Sequence, residues 1–219
     1  MDLLSIFLKG GWVMYPILVC SIIGMAIVIE KFIVLKKAKV NIPAFLIKIR
    51  ALVKKKDMEG AISFCMQEHT PVSNIVKKGL KKFRFGHKRV TEAIESAGRQ
   101  EISKMEKGLS ILASVSGIAP LLGFLGTVTG MITAFMKIQE LQGSANPSDL
   151  AGGIWEALIT TAFGLIVGIP ALAFYNYFVS QINKIVVDME LISNDIIDLL
   201  DDTSKSAVTG DDEDEEYNF

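Results

Sequence analysis

Three long apolar runs, set apart by polar stretches, dominate the pattern of the chain. They are Trp12–Leu35, Leu109–Met136 and Gly152–Val179. About 20 apolar residues suffice for a helix to cross the hydrocarbon core of a bilayer. Each run therefore predicts a transmembrane helix (residues 12–35, 109–136 and 152–179), and the fold class is an all-α integral membrane protein. The first run is interrupted only by Glu30 and Lys31 near its far end. It is longer than a signal-peptide core, no small-residue cleavage site follows, and Lys36 and Lys37 come straight after it, so it reads as uncleaved. Trp12 and Tyr15 suit an interfacial aromatic belt. Residues 1–11 form a short amphipathic lead-in.

The stretch between the first two runs, residues 36–108, is basic and patterned as helices. Residues 36–107 hold 18 Lys/Arg against 7 Asp/Glu. Basic loops stay in the cytoplasm, which predicts a cytoplasmic loop, a periplasmic N-terminus and a cytoplasmic C-terminus. A nucleic-acid patch is the other reading of so many cations, and topology plus a solvated face is the better one in a chain with several spans. Pro43, Asp57 and Thr70-Pro71 mark helix starts. A further helix begins near Val90 and carries an apolar face through Gly98, Ile102, Met105, Leu109 and Leu112, without a stop before the second span. Residues 137–151 read as a short polar periplasmic loop. After the third span, Ile182, Ile185, Met189, Ile192, Ile196 and Leu199 form a coiled-coil-like seam over a cytoplasmic helix, residues 180–200. Residues 201–219 read as an acidic, disordered tail.

Composition sharpens this picture. Half of the residues are hydrophobic and the mean hydropathy is +0.40, while the net charge of -1 conceals the basic loop and acidic tail. The two cysteines, Cys20 and Cys65, lie in unlike settings, one apolar and one basic, so no disulfide framework is expected. With no Cys-x-x-Cys and two isolated histidines, no metal site or cofactor is expected. No enzyme motif appears, and the reading is not an enzyme.

The chemistry lies in the few polar groups inside the spans. Lipid cannot satisfy a carboxyl or hydroxyl, so Thr127, Thr129, Thr133, Glu156, Thr160 and Thr161 should face protein or a water-filled path. Glu156 sits about one turn inside the third span. It is either functional or an interfacial residue paired with Lys137 or capping a neighbouring helix. Thr160 follows one turn later with Thr161 beside it, and Thr127 can meet them from the second span. The ordinary alternative is that these threonines bond back to their own helices. Gly123, Gly126 and Gly130 in one span, and Gly164 and Gly168 in the other, permit close helix packing, and Pro170 predicts a bend. Gly123–Gly130 is not a phosphate loop, because no Lys-Ser/Thr follows and no strand precedes. The three spans hold no titratable group at mid-membrane. If protons move, the central carboxyl must come from another chain.

The motifs GxxGTVxGM (Gly123–Met131) and GIxEALxTTAxGLxxxIPAxxxYN (Gly153–Asn176), with the opening GGWVMYPILxxSI and Glu30-Lys31, resemble the MotA/TolQ/ExbB proton-channel family, most closely its ExbB/TolQ branch. The resemblance covers Gly11 to about Leu200 and leaves out the acidic tail. It implies a multi-pass subunit of the bacterial inner membrane. It also implies a homopentameric ring around the transmembrane helices of a single-span ExbD/TolR-like partner, whose aspartate carries the proton. Proton motive force would then drive a TonB- or TolA-like protein. By the same resemblance Thr127 and Thr161 line the pore and Glu156 lies near them. Expected partners are thus further copies of the chain, these proteins and membrane lipid, with no nucleic acid. A non-conducting scaffold for a single-span partner is the alternative function. A transporter subunit is a further rival, but the sequence shows no internal repeat.

Overall fold

The computed structural model describes residues 3–142, 144 and 146–213, with side chains described for 5–142, 144 and 146–203. Residues 1–2 of the amphipathic lead-in, 143 and 145 of the polar loop and 214–219 of the acidic tail lie outside the described residues. The fold is all-helical. Its elements are α1 (Leu3–Lys9), α2 (Met14–Ala38), α3 (Ile42–Lys54), α4 (Met58–Glu68), α5 (Pro71–Leu80), a 3-10 turn at Phe83–Phe85, α6 (His87–Glu106), α7 (Leu109–Glu140) and α8 (Pro147–Glu213). Three helical stretches, including α2, α7 and α8, are long and apolar enough to cross a membrane.

The starts of the short helices follow from local chemistry. Asn41 Oδ1 accepts from the Ala44 amide at 3.3 Å, and Pro43 sits in the first turn of α3, where its missing N–H costs nothing. Asp57 Oδ1 accepts from Gly60 N at 2.8 Å to open α4. Thr70 and Ser73 cap α5 reciprocally, through Ser73 N to Thr70 Oγ1 at 3.2 Å and Thr70 N to Ser73 Oγ at 3.0 Å. Each such cap satisfies donors that a helix start leaves unpaired.

Elsewhere the structure departs from the sequence reading. The helix expected to run unbroken from Val90 into the second span ends at Glu106, and α7 starts at Leu109. Gly108, the residue before α7, has φ +87°. Apolar periodicity carries across the break because Met105, Leu109 and Leu112 are all buried. The polar loop is shorter than residues 137–151: α7 extends to Glu140 and α8 opens at Pro147. Asp149 Oδ2 accepts from Asn146 N at 2.9 Å at that opening. α8 also runs past Asp201 to Glu213, through residues read as a disordered tail. Helix propagation adds a bond per residue once a helix is nucleated, so a long preceding helix carries polar residues with it. The helices continue through Pro120 and Pro170.

The chain divides into two compact units. The first comprises Met1–Phe32 and Lys107–Val179. Its core gathers Val13, Met14, Ile17 and Ile159, with Ile6, Phe7, Leu122, Phe163 and Val167 packed against it. Phe32, Phe174, Tyr177 and Phe178 form an aromatic cluster, with Phe32 edge-on to Phe178 at 5.2 Å between centroids. Many large apolar side chains of this unit are outward, among them Leu121, Phe124, Leu158 and Ile166. A soluble monomer rarely exposes so many large apolar side chains, and lipid or further protein covers them at no such cost.

The second unit comprises Ile33–Glu106 and Ser180–Phe219. Ile182, Ile185, Met189, Ile192 and Ile196 of α8 are buried as the seam predicts; the next buried position is Leu200, while Leu199 is only half-buried. Phe45 and Phe64 stack at 5.6 Å between α3 and α4. Arg50 pairs with Asp195 at 3.0 Å and His87 with Asp201 at 2.7 Å, fixing α8 against α3 and α6. Cys65 is fully buried, and burial pushes its thiol up to about 12.

Candidate functional site

The centre of the first unit is the packing of α7 on α8, which a ladder of small residues brings together. A Cβ added to Gly130 would lie 2.8 Å from the Ala157 amide nitrogen, and one on Gly153 2.9 Å from that of Ala134. One turn on, Gly126 lies against the Thr160 side chain. Next, Cβ atoms on Gly123 and Gly164 would come within 2.9 Å of the Thr160 carbonyl and the Gly123 Cα, respectively. At the far end Gly168 meets the Pro120 ring. Four successive levels thus have no room for a side chain, which is how two membrane helices reach close backbone contact. Five of the expected packing residues, Gly123, Gly126, Gly130, Gly164 and Gly168, stand in this ladder. Pro170 does not; its side chain is exposed. Gly153, Ala119, Ala134 and Ala157 also belong to the ladder, and the sequence reading missed them. Gly153 was legible as a small residue four before Ala157.

The hydroxyls fall into two kinds. Thr160 is fully buried, and its Oγ1 donates to the Glu156 and Ala157 carbonyls at 2.9 and 3.0 Å, one and the same proton shared within its own helix. Thr127 donates to the Phe124 carbonyl at 2.6 Å, and Thr129 and Thr133 also bond back to α7. Thr161 alone among these reaches across: its Oγ1 lies 3.1 Å from the Gly123 carbonyl of α7 and 3.2 Å from the Ala157 carbonyl of α8. The structure thus joins Thr160 to Gly126 and Thr161 to Gly123, and it leaves the Thr127 hydroxyl on its own helix. A threonine whose proton is committed still offers oxygen lone pairs, so Thr127 and Thr161, both half-buried, can accept from water or from a protonated carboxyl, while Thr160 is closed off by its burial.

Glu156 is half-buried one turn before Thr160. Its side chain lies against Gly11, which sits at φ +67° in the turn between α1 and α2. Among the described residues its carboxylate makes no hydrogen bond or ion pair. Lys137, the suggested partner, binds Glu140 instead at 2.6 Å. Gly11 was the residue missed here. Its signal was the Gly10-Gly11 pair before the first span, since only glycine adopts that backbone freely. The neighbouring Lys9 ammonium stands 5.9 Å from the Trp155 ring centroid. At the other end of the first span Lys31 is fully buried while Glu30 is exposed, an arrangement that hydropathy does not reveal.

The arrangement provides a carboxylate, three hydroxyl oxygens and a tight helix pair, with no nucleophile–base pair. It can hold and order water and take up or release a proton.

Residues 67–191 match the MotA/TolQ/ExbB proton channel family. The chain is 33% identical over 190 residues to a biopolymer transport protein ExbB homolog of Methanothermobacter thermautotrophicus, covering 86% of this chain and 67% of that protein. It is 32% identical over 185 residues to an ExbB-like biopolymer transport protein of Synechocystis, covering 81% and 71%. A biopolymer transport protein ExbB of Xanthomonas campestris is 38% identical over 109 residues, half of this chain and 43% of that protein.

Proposed function

The chain belongs to the MotA/TolQ/ExbB proton channel family, and we propose that it is the multi-pass, ring-forming subunit of a proton-driven motor in a bacterial inner membrane. Five copies enclose the transmembrane helices of a single-span ExbD/TolR-like partner, and the motion passes to a TonB- or TolA-like protein. The N-terminus is periplasmic and the C-terminus cytoplasmic. The observation that carries this reading is the level formed by Glu156, Thr160 and Thr161 on α8, where a carboxylate without a partner among the described residues sits one turn from buried or bridging hydroxyls.

In the mechanism we propose, Glu156 admits protons from the outer side. Thr161 and Thr127 present acceptor oxygens to the protonated carboxyl of the partner. The chain's own spans hold no acidic group between Glu156 and the inner membrane face other than Glu30, so the moving proton needs that second carboxyl. The outward apolar side chains of α7 and α8 support a ring, because a second copy or lipid must cover them.

Native mass spectrometry of the complex, extracted gently from its own host, tests the assembly. Five copies with a small single-span protein bearing a membrane aspartate are expected; a monomer, or a ring without that protein, contradicts the reading. The scaffold reading draws on the backbone-bound hydroxyls of Thr127 and Thr160, which serve packing as well as transport. Thr127→Ala separates the two, since a scaffold keeps working while a proton path slows with assembly intact.

A further inference from the structure

We propose that the acidic segment Asp211–Glu216 docks on the basic turn Lys77–Arg89 of the same chain. This turn joins α5 to α6 through the 3-10 turn at Phe83–Phe85. It carries seven Lys/Arg, and no carboxylate occurs between Glu68 and Glu92. Lys78, Lys81, Lys82, Arg84 and Lys88 are exposed, and none has a carboxylate partner among the described residues. Lys82 stands over the Phe85 ring at 5.0 Å, and Phe85 is itself 66% exposed. The surface is thus cationic with an aromatic edge; among the described residues Arg89 pairs with Glu92 and His87 with Asp201, which leaves those five cations without a carboxylate.

The tail supplies the matching charge. Asp211, Asp212, Glu213, Asp214, Glu215 and Glu216 follow one another without a cation, and Lys205 is the only basic residue after Lys184. The last turn of α8 therefore holds acidic groups and no basic ones. Carboxylates there oppose the helix macrodipole, so they gain from an external cation. α8 is also held at the turn itself, because Asp201 pairs with His87 inside the basic stretch at 2.7 Å. From Asp201 to Asp211 is ten residues, about 15 Å along α8, which is helical to Glu213. A segment tethered this closely competes at an effective concentration of order millimolar. Any free polyanion or anionic lipid must displace it.

The test places benzoylphenylalanine at position 85 in the full-length complex in its own membrane, then irradiates it and maps the adducts by mass spectrometry. The expected product, at monomer mass, joins position 85 to the peptide after Lys205. Its yield should fall about fivefold or more in 1 M salt, where screening shortens to about 3 Å. It should fall likewise when Asp211, Asp212 and Asp214 become Asn and Glu213, Glu215 and Glu216 become Gln. Exchanging the charges on both partners, Glu for Lys81, Lys82 and Lys88 and Lys for Asp211, Asp212 and Glu213, should restore it. A yield indifferent to these changes, an adduct at dimer mass, or capture of lipid or a foreign protein in place of the tail would each overturn the proposal.

Discussion

At the scale of single residues, two adjacent threonines are held differently. Thr161 reaches the Gly123 carbonyl across the helix pair as well as the Ala157 carbonyl of its own helix, while Thr160 bonds only within its own helix and its side chain fills the space left by Gly126. Thr161→Val should cost stability by only about 0.6 kcal/mol, the average worth of such a bond in a membrane. It should nevertheless slow proton-dependent activity, and Thr161→Ser should restore it. Equal activity of the Val variant in a growth assay would remove Thr161 from the path. Glu156→Gln keeps shape and removes titration, so folding should survive while transport falls about a hundredfold, the lower range for loss of a positioned proton carrier. The types of these residues were legible in the sequence because polar groups in apolar runs stand out. Which hydroxyl crosses to the neighbour was not, because that depends on helix rotation and rotamer. Cys65 offers a separate check. With its thiol pushed from 9.0 up to about 12 by burial, the thiolate at pH 8 is about one part in ten thousand. The fold disfavours the thiolate, so this contribution to stability is whole below pH 9.0 and is lost as pH rises towards about 12. Iodoacetamide at pH 8 should spare Cys65 in the native protein and label it in urea; equal labelling would contradict its burial.

At the scale of elements, glycine decides where helices meet and where they stop. Gly11 and Gly86 both sit at positive φ, +67° and +84°. Alanine at either should cost about 1–3 kcal/mol in backbone strain. Only at Gly11 would the new Cβ collide with the Glu156 carboxylate; at Gly86 it meets open space. Gly11→Ala should therefore impair proton-dependent activity well beyond Gly86→Ala at matched expression, and equal effects would separate Gly11 from the site. Gly126→Leu should overpack the Thr160 level and weaken assembly by about 1–3 kcal/mol or more, read as loss of the intact complex in size-exclusion chromatography. The short helices were legible because Asp57, Thr70 and Pro71 announce their caps. The stop at Glu106 was not, since Gly108 lies within an apolar face that repeats on both sides of it. The long reach of α8 was hidden by polar residues at both ends, which a helix tolerates once its middle is packed.

At the scale of the whole molecule, one chain is an incomplete object. Its first unit presents Leu121, Phe124, Leu158 and Ile166 outward, and its spans lack a central acid. Under the proposed function both features call for other components: bilayer and sister copies for the apolar faces, and a partner carboxyl for the proton. The family was legible from the Gly123–Met131 and Gly153–Asn176 motifs, because close packing and a polar level within lipid leave few residues to choose from. The number of copies was not, because the contacts that fix it lie between chains. The most direct test is proton flux into liposomes holding the purified complex under an imposed pH gradient and membrane potential. Flux should require the single-span partner, disappear when the partner's membrane aspartate becomes asparagine, and fall sharply with Glu156→Gln or Thr161→Val in this chain. Flux that persists unchanged in these variants, or that the chain supports without any partner, would contradict a path built from the α7–α8 level and a borrowed carboxyl.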